Sequence, residues 1–155
     1  MKDFVRYLRD LQGRCVQVER GGPEACQGWL MDVKADYLAL TGEEGSTLYL
    51  PLHHVRSITP LPAPALPPVP GAAQPAPENF AELLRANLGA PVRLYHAGPE
   101  VSFGILKTCA ADHLLLESDS GEIACFTLFH IRSLLFHPQE LDPWTPQATR
   151  PSQGG

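Results

Sequence analysis

"RGGPEACQGWL", residues 20–30, returns 76 residues later as "HAGPEVSFGIL", residues 96–106. Each stretch sets a glycine before a proline, a glutamate after it, and a second glycine four residues further on. Proline presets its own φ near about −65° and suits the second position of a turn. The residue before it must avoid the α region, and a glycine there relaxes the steric limits on entering the turn. A turn written twice at a fixed distance marks an internal repeat, and a repeat outranks every other signal about the fold.

The repeat extends well beyond the turn. Residues 4–58 align with residues 80–134 without a gap, and 19 of the 55 pairs are identical, among them Phe4/Phe80, Gly13/Gly89, Asp36/Asp112, His54/His130 and Ser57/Ser133. The expected organisation is a first unit at 1–59, a linker at 60–78, a second unit at 79–137 and a tail at 138–155. Each unit is near the lower size limit for folding alone. Eight of the 19 residues in 60–78 are proline, so this stretch reads as a semi-rigid polyproline spacer. The tail is again Pro-rich and reads as disordered.

Charge narrows the functional classes. The net charge is −5, with 7 basic and 8 acidic residues in 1–59 and 4 basic and 7 acidic in 78–137. No basic field exists to attract nucleic acid or an anionic membrane. The N-terminal "MKDFVRYLRD" lacks the apolar core of a signal peptide, and no apolar run approaches a membrane span. A cytoplasmic origin is expected. Cys15, Cys26, Cys109 and Cys125 occupy four different repeat positions and form no CxxC pair, so no zinc or redox motif is written.

Within each unit the first segment has helical spacing: Phe4, Leu8 and Leu11, then Phe80, Leu83, Leu84 and Leu88. Asp3 and Asn79 suit an N-cap, and Gly13 and Gly89 sit where the helix would stop. Strand alternation follows. Val16 and Val18 face inward, with Cys15, Gln17 and Glu19 outward. Gly28 and Gly104 lie inside the next strand, where glycine marks a bulge or bend. In the fourth strand Leu48, Leu50 and Leu52 point inward, matched by Ala124, Phe126 and Leu128. The same alternation turns Cys125 outward and Cys109 into the core. "HVRSI" and "HIRSL" begin a short fifth strand. The expected fold class is all-β with short helices: two tandem five-stranded barrels of the Sm-like (SH3-like) kind, each preceded by a short helix.

The joint pattern of "RGGPEACQGWLMDVKADYLAL" and "LPLHHVRSI", repeated after a linker, resembles the spore coat protein B family of endospore-forming bacteria. Gly21, Gly22, Pro23, Glu24, Gly28, Asp36, Tyr37, His54, Arg56, Ser57 and Ile58 match its pattern. In the second copy Gly98, Pro99, Glu100, Gly104, Asp112, His130, Arg132 and Ser133 match. The resemblance covers about three quarters of the chain. Family members often end in a long Ser/Lys/Arg-rich tail that is phosphorylated, and a Pro-rich stretch stands here instead. The resemblance implies a structural coat component, made in the mother-cell cytoplasm and deposited on the spore coat. Its partners would be other coat proteins or itself, with no catalysis, cofactor or metal. The turn residues Gly21, Gly22, Pro23, Glu24, Gly98, Pro99 and Glu100 are then architectural. His54, Arg56, Ser57, His130, Arg132 and Ser133 are the candidate interaction residues.

"LHHVRSITP" also resembles the closing segment of Hfq-type Sm proteins, which line a uridine pocket with a Tyr-Lys-His stretch. The alternative is therefore a single-strand RNA binder. Its weakness is the acidic balance, since phosphate contacts supply much of such affinity. His54 with Ser57, and His130 with Ser133, could be imagined as base and nucleophile, but no orienting third group accompanies them. His53 and His54 point to opposite faces if both are extended, which argues against a shared metal. The plain expectation is that His54 and His130 bond backbone at the corner between strands four and five. Arg56 and Arg132 would then be surface cations, paired with Asp36 and Asp112.

Overall fold

The computed structural model describes residues 2–19, 25–43, 45–62, 76–96 and 100–138. Most of the Pro-rich spacer, the 139–155 stretch and the turn residues Gly21, Gly22, Pro23, Glu24, Gly98 and Pro99 lie outside the described residues.

Helix α1 (Lys2–Asp10) precedes β1 (Cys15–Val18), β2 (Cys26–Val33), β3 (Tyr37–Thr41) and β4 (Thr47–Pro51). A 3-10 turn at Leu52–His54 then leads into β5 (Ile58–Pro60). The order repeats as α2 (Phe80–Arg85), β6 (Pro91–Tyr95), β7 (Val101–Cys109), β8 (His113–Glu117) and β9 (Ile123–Thr127). A second 3-10 turn at Leu128–His130 leads into β10 (Ser133–Phe136).

Local chemistry explains these boundaries. Asn79 caps α2, its side-chain oxygen accepting the Glu82 N–H at 2.9 Å. Asp3, expected as a cap, lies inside the first turn of α1, where a carboxylate still suits the positive end of the helix dipole. Gly13 and Gly89 have φ of +90° and +88°, a region unfavourable to other residues. Each donates its N–H at 2.7 Å across to the sheet, to the carbonyls of Leu30 and Leu106. The long second strands bulge at matching places, between Leu30 and Asp32 and between Leu106 and Thr108. Gly104 stands where β7 lies close against β8: a Cβ there would lie 2.5 Å from the Glu117 carbonyl oxygen.

The two expected five-stranded barrels, Sm-like or SH3-like, do not form. The ten strands of the described residues make one open antiparallel sheet in the order β5-β1-β2-β3-β4-β10-β6-β7-β8-β9. Instead of each unit rolling up separately, β4 pairs with β10, Tyr49 opposite Leu134 and Leu48 opposite Leu135. The physical reason is that alternation fixes which face of a strand is buried, while its edge partner is a separate choice. Here that choice is made by side chains crossing the joint.

Two apolar clusters result, and each borrows from the other half. The first gathers α1 residues Val5 and Leu8 with Val16, Leu30, Leu38, Leu48 and Leu50, and includes Tyr95 and Leu135 from beyond the joint. The second gathers Phe80, Leu84, Val92, Leu106 and Leu114, and includes Tyr37. An aromatic chain seals the seam: Tyr37 lies 6.0 Å from Phe80 and 6.1 Å from Tyr49, and Tyr49 lies 5.6 Å from Phe136. Such pairs add to the burial of their own large surfaces. Asp36 closes the seam on the helix side, accepting the Phe80 N–H at 2.8 Å. No described helix is long and apolar enough to cross a membrane.

Candidate functional site at the corner between the halves

The β4–β10 joint brings the two 3-10 turns together, and with them most of the candidate residues. His53 and His54 each direct Nε2 at the carbonyl oxygen of Phe129, at 2.8 and 2.7 Å. A carbonyl only accepts, so both imidazoles carry the proton on Nε2. The expectation of opposite faces fails here because successive residues of a 3-10 turn are rotated by about 120°, not the roughly 180° of an extended strand, so both rings reach one carbonyl. The two rings lie 4.3 Å apart, and His53 stacks on Phe129 at 4.8 Å. His130 meets Phe129 edge-on at 5.3 Å.

The corner is cationic in character. Burial is the main force lowering the His54 pKa from its ordinary value; His53, Arg132 and His130 add like-charge repulsion, and the bond to Phe129 opposes them. Among the described residues no group of three His, Cys, Asp or Glu side chains is placed to hold a metal. A shallow depression lined by Lys2, Asp3, Phe4, Leu52, His53, Val55 and Arg56 opens beside the turn.

Arg56 and Ser57 are held by Glu19, which is buried and has φ of +62°. Its carboxylate accepts from the Arg56 backbone N–H at 2.8 Å and from Nε at 3.2 Å, and its own N–H donates to the Ser57 carbonyl at 3.0 Å. Sequence reasoning turned Glu19 outward and gave Arg56 to Asp36. Tyr95 takes the Glu19 place in the second half, and its carbonyl accepts the Arg132 N–H at 2.9 Å. Ser133 is buried on β10 opposite Tyr95. Asp112 is bound by the neighbouring His113, Nδ1 to Oδ1 at 2.7 Å. Glu100 closes the second hairpin through its carbonyl, which accepts the His96 N–H at 3.1 Å.

The thiols depart from their expected phases. Cys125 is exposed, as alternation requires, but Cys15 is buried and Cys109 only half-buried. Burial, then the nearby Glu43, raises the Cys15 thiol, and burial pushes Cys26 up to about 12. Neither is a ready nucleophile at neutral pH.

Sequence reasoning missed Phe129, Tyr37 and Tyr49 as residues that join the halves. A signal for the two tyrosines was present: Tyr37 and Tyr49 are aromatic in the first copy, whereas the matching positions are His113 and Cys125.

No family model matches this chain, and no solved structure matches it. Spore coat protein B of Bacillus subtilis (strain 168) is 29% identical over 138 residues, which cover 89% of this chain and 36% of that protein. The uncharacterized protein YwrJ of the same strain is 24% identical over 139 residues, covering 84% of this chain and 62% of that one. The chain thus spans about a third of the length of the first relative and about three fifths of the second. Across most of its own length, it is a distant homologue of spore coat protein B.

Proposed function

We propose that this chain is a structural, non-catalytic component of the spore coat, made in the mother cell and deposited on the spore, where it binds itself or other coat proteins. The similarity to spore coat protein B over 89% of the chain carries the reading. The surface supports it: β9 ends the sheet with four of its five residues exposed, among them the apolar Ile123, Ala124 and Cys125. Unpaired strand edges of this composition are sites of protein association. His54 fits a structural role, since its Nε2 donates to the Phe129 carbonyl across the joint.

The test has two arms. A tagged chain expressed in a spore-former should appear only during sporulation and fractionate with the coat. Purified protein titrated with oligo-U at low salt should show no binding tighter than about 10 µM, the range of non-specific nucleic-acid contact. Expression in vegetative cells together with tight, salt-sensitive RNA binding would overturn the reading.

A further inference from the structure

The joint inside the chain is a template for a joint between chains. In each half the strands follow one order, with the fifth-strand position at one end and the fourth-strand position at the other. The first half's fourth strand, β4, is capped by the second half's fifth, β10. That leaves β9 and β5 as the two outer edges, and they are the same pair of repeat positions. Among the described residues, an unpaired fourth-strand edge at one end of the sheet is complementary to an unpaired fifth-strand edge at the other.

The backbone phases agree. Ser118 donates to Glu122 and Leu128 to Asp112, which fixes the even-numbered β9 residues as those bonded to β8. The N–H and C=O of Cys125 therefore face outward. On β5, Glu19 donates to Ser57 and Leu61 to Cys15, so the odd-numbered residues face β1 and those of Ile58 face outward. Pro60 has no N–H, which blunts an edge, but it lies two residues past Ile58 and outside the two matched positions. The helix side agrees as well. Asp112 is the repeat partner of Asp36, and its side chain is 89% exposed. Phe4 is the repeat partner of Phe80, and its N–H lies in the first turn of α1, where N–H groups have no intrahelical acceptor.

We infer that β9 of one copy adds to β5 of a second copy in the register of the internal joint, Cys125 opposite the second copy's Ile58 and Ala124 opposite its Thr59. Asp112 then accepts from the second copy's Phe4 N–H, as Asp36 does from Phe80. This rests on the self-association reading above and names its surfaces. A head-to-tail contact of this kind is heterologous, so it propagates into an open ladder or closes into a ring. It is weaker than the internal joint, because His113, Cys125 and Pro60 stand where Tyr37, Tyr49 and Phe136 seal the seam.

The full chain is followed by sedimentation in reducing buffer up to about 1 mM, the range in which linked modules meet one another. The expected result is concentration-dependent assembly. Cys125→Pro, which removes one outward N–H, abolishes it. Asp112→Ala, an exposed change that leaves the fold intact, weakens it about fivefold, the worth of a typical helix cap. Ile58→Cys, mildly oxidised, links to Cys125 of another copy, since a directly opposed pair with Cα atoms about 5.5 Å apart fits disulfide geometry. The linkage is identified by peptide mapping. Assembly that Asp112→Ala leaves undiminished and that gives no 58–125 linkage overturns this joint and leaves self-association standing. A monomer at every concentration overturns both.

Discussion

In the first half β3 is buried at all five residues, and β4 alternates between half-buried and buried before ending on a buried Pro51. In the second half β8 alternates between half-buried and buried, and β9 is exposed except for a half-buried Phe126. The two pairs of strands hold the same repeat positions and differ both in sequence and in what lies beside the outer strand of each pair. On its side away from β3, β4 has β10 as its neighbour, while β9 has no strand on its side away from β8 among the described residues. Burial in this fold is therefore set by position in the assembled sheet as much as by a strand's own sequence. The sequence has adjusted to that difference, with tyrosines at 37 and 49 and a histidine and a cysteine at 113 and 125.

The sharpest way to break the comparison is to truncate matched residues. Tyr37 is fully buried, touches Tyr49 and Phe80, and donates its hydroxyl proton to the Pro77 carbonyl. Tyr37→Ala should cost about 3–5 kcal/mol, the usual penalty for deleting a buried aromatic. His113→Ala, at the same repeat position, should change stability by no more than about 0.5 kcal/mol, as for a surface residue. Denaturant unfolding of the two variants measures the contrast. Equal losses would mean that the seam is not where the halves are held.

Exposure of β9 does not make the second half slack. Gly104 lets β7 pass close over β8, with the Glu117 carbonyl and Leu116 filling the place of a side chain. Gly104→Ala should destabilise by about 1–3 kcal/mol through overpacking. A melting temperature equal to that of the parent would show that the two strands can part without penalty.

Asp36 and Asp112 sharpen the comparison further. Asp36 caps α2 across the seam, so Asp36→Ala should cost about 1 kcal/mol, as for a lost N-cap. Asp112→Ala in dilute protein should leave the melting temperature unchanged, because no helix of its own copy depends on that carboxylate. If both substitutions are silent, the contact between Asp36 and Phe80 contributes nothing to joining the halves.

How much of this was legible follows from the same contrast. The helices and much of the strand alternation are local matters, decided by side-chain spacing and backbone freedom, and residues such as Asn79 and Gly89 announce them; the irregularity expected at Gly104 falls instead between Leu106 and Thr108. Pairing of β4 with β10 is a long-range choice that no period encodes, so two closed barrels and one open sheet predict the same inward set in the first half. They differ in the second, where Ala124 is left exposed and Phe126 packs only half-buried against its cluster. The histidine corner was hidden for a different reason. Its geometry depends on three residues forming a 3-10 turn and on a carbonyl 75 residues away from His54.

The smallest expected effect tests that corner. Burial, with repulsion from His53, Arg132 and His130, lowers the His54 pKa in the folded protein. The unfolded chain then binds the proton more readily than the folded one. Stability should therefore fall as pH drops through the ordinary imidazole range, and level off below the folded-state pKa. Gln in place of His54 keeps a donor for the Phe129 carbonyl but has no proton to gain. Melting temperatures from about pH 7 to about pH 5 should fall less steeply for His54→Gln than for the parent, the other histidines being common to both. Parallel curves would mean that protonating His54 leaves the corner undisturbed. In that case the convergence of the two turns would not be a pH-sensitive part of the seam, and the halves would be held by the β4–β10 pairing, the Asp36 bond and the aromatic side chains.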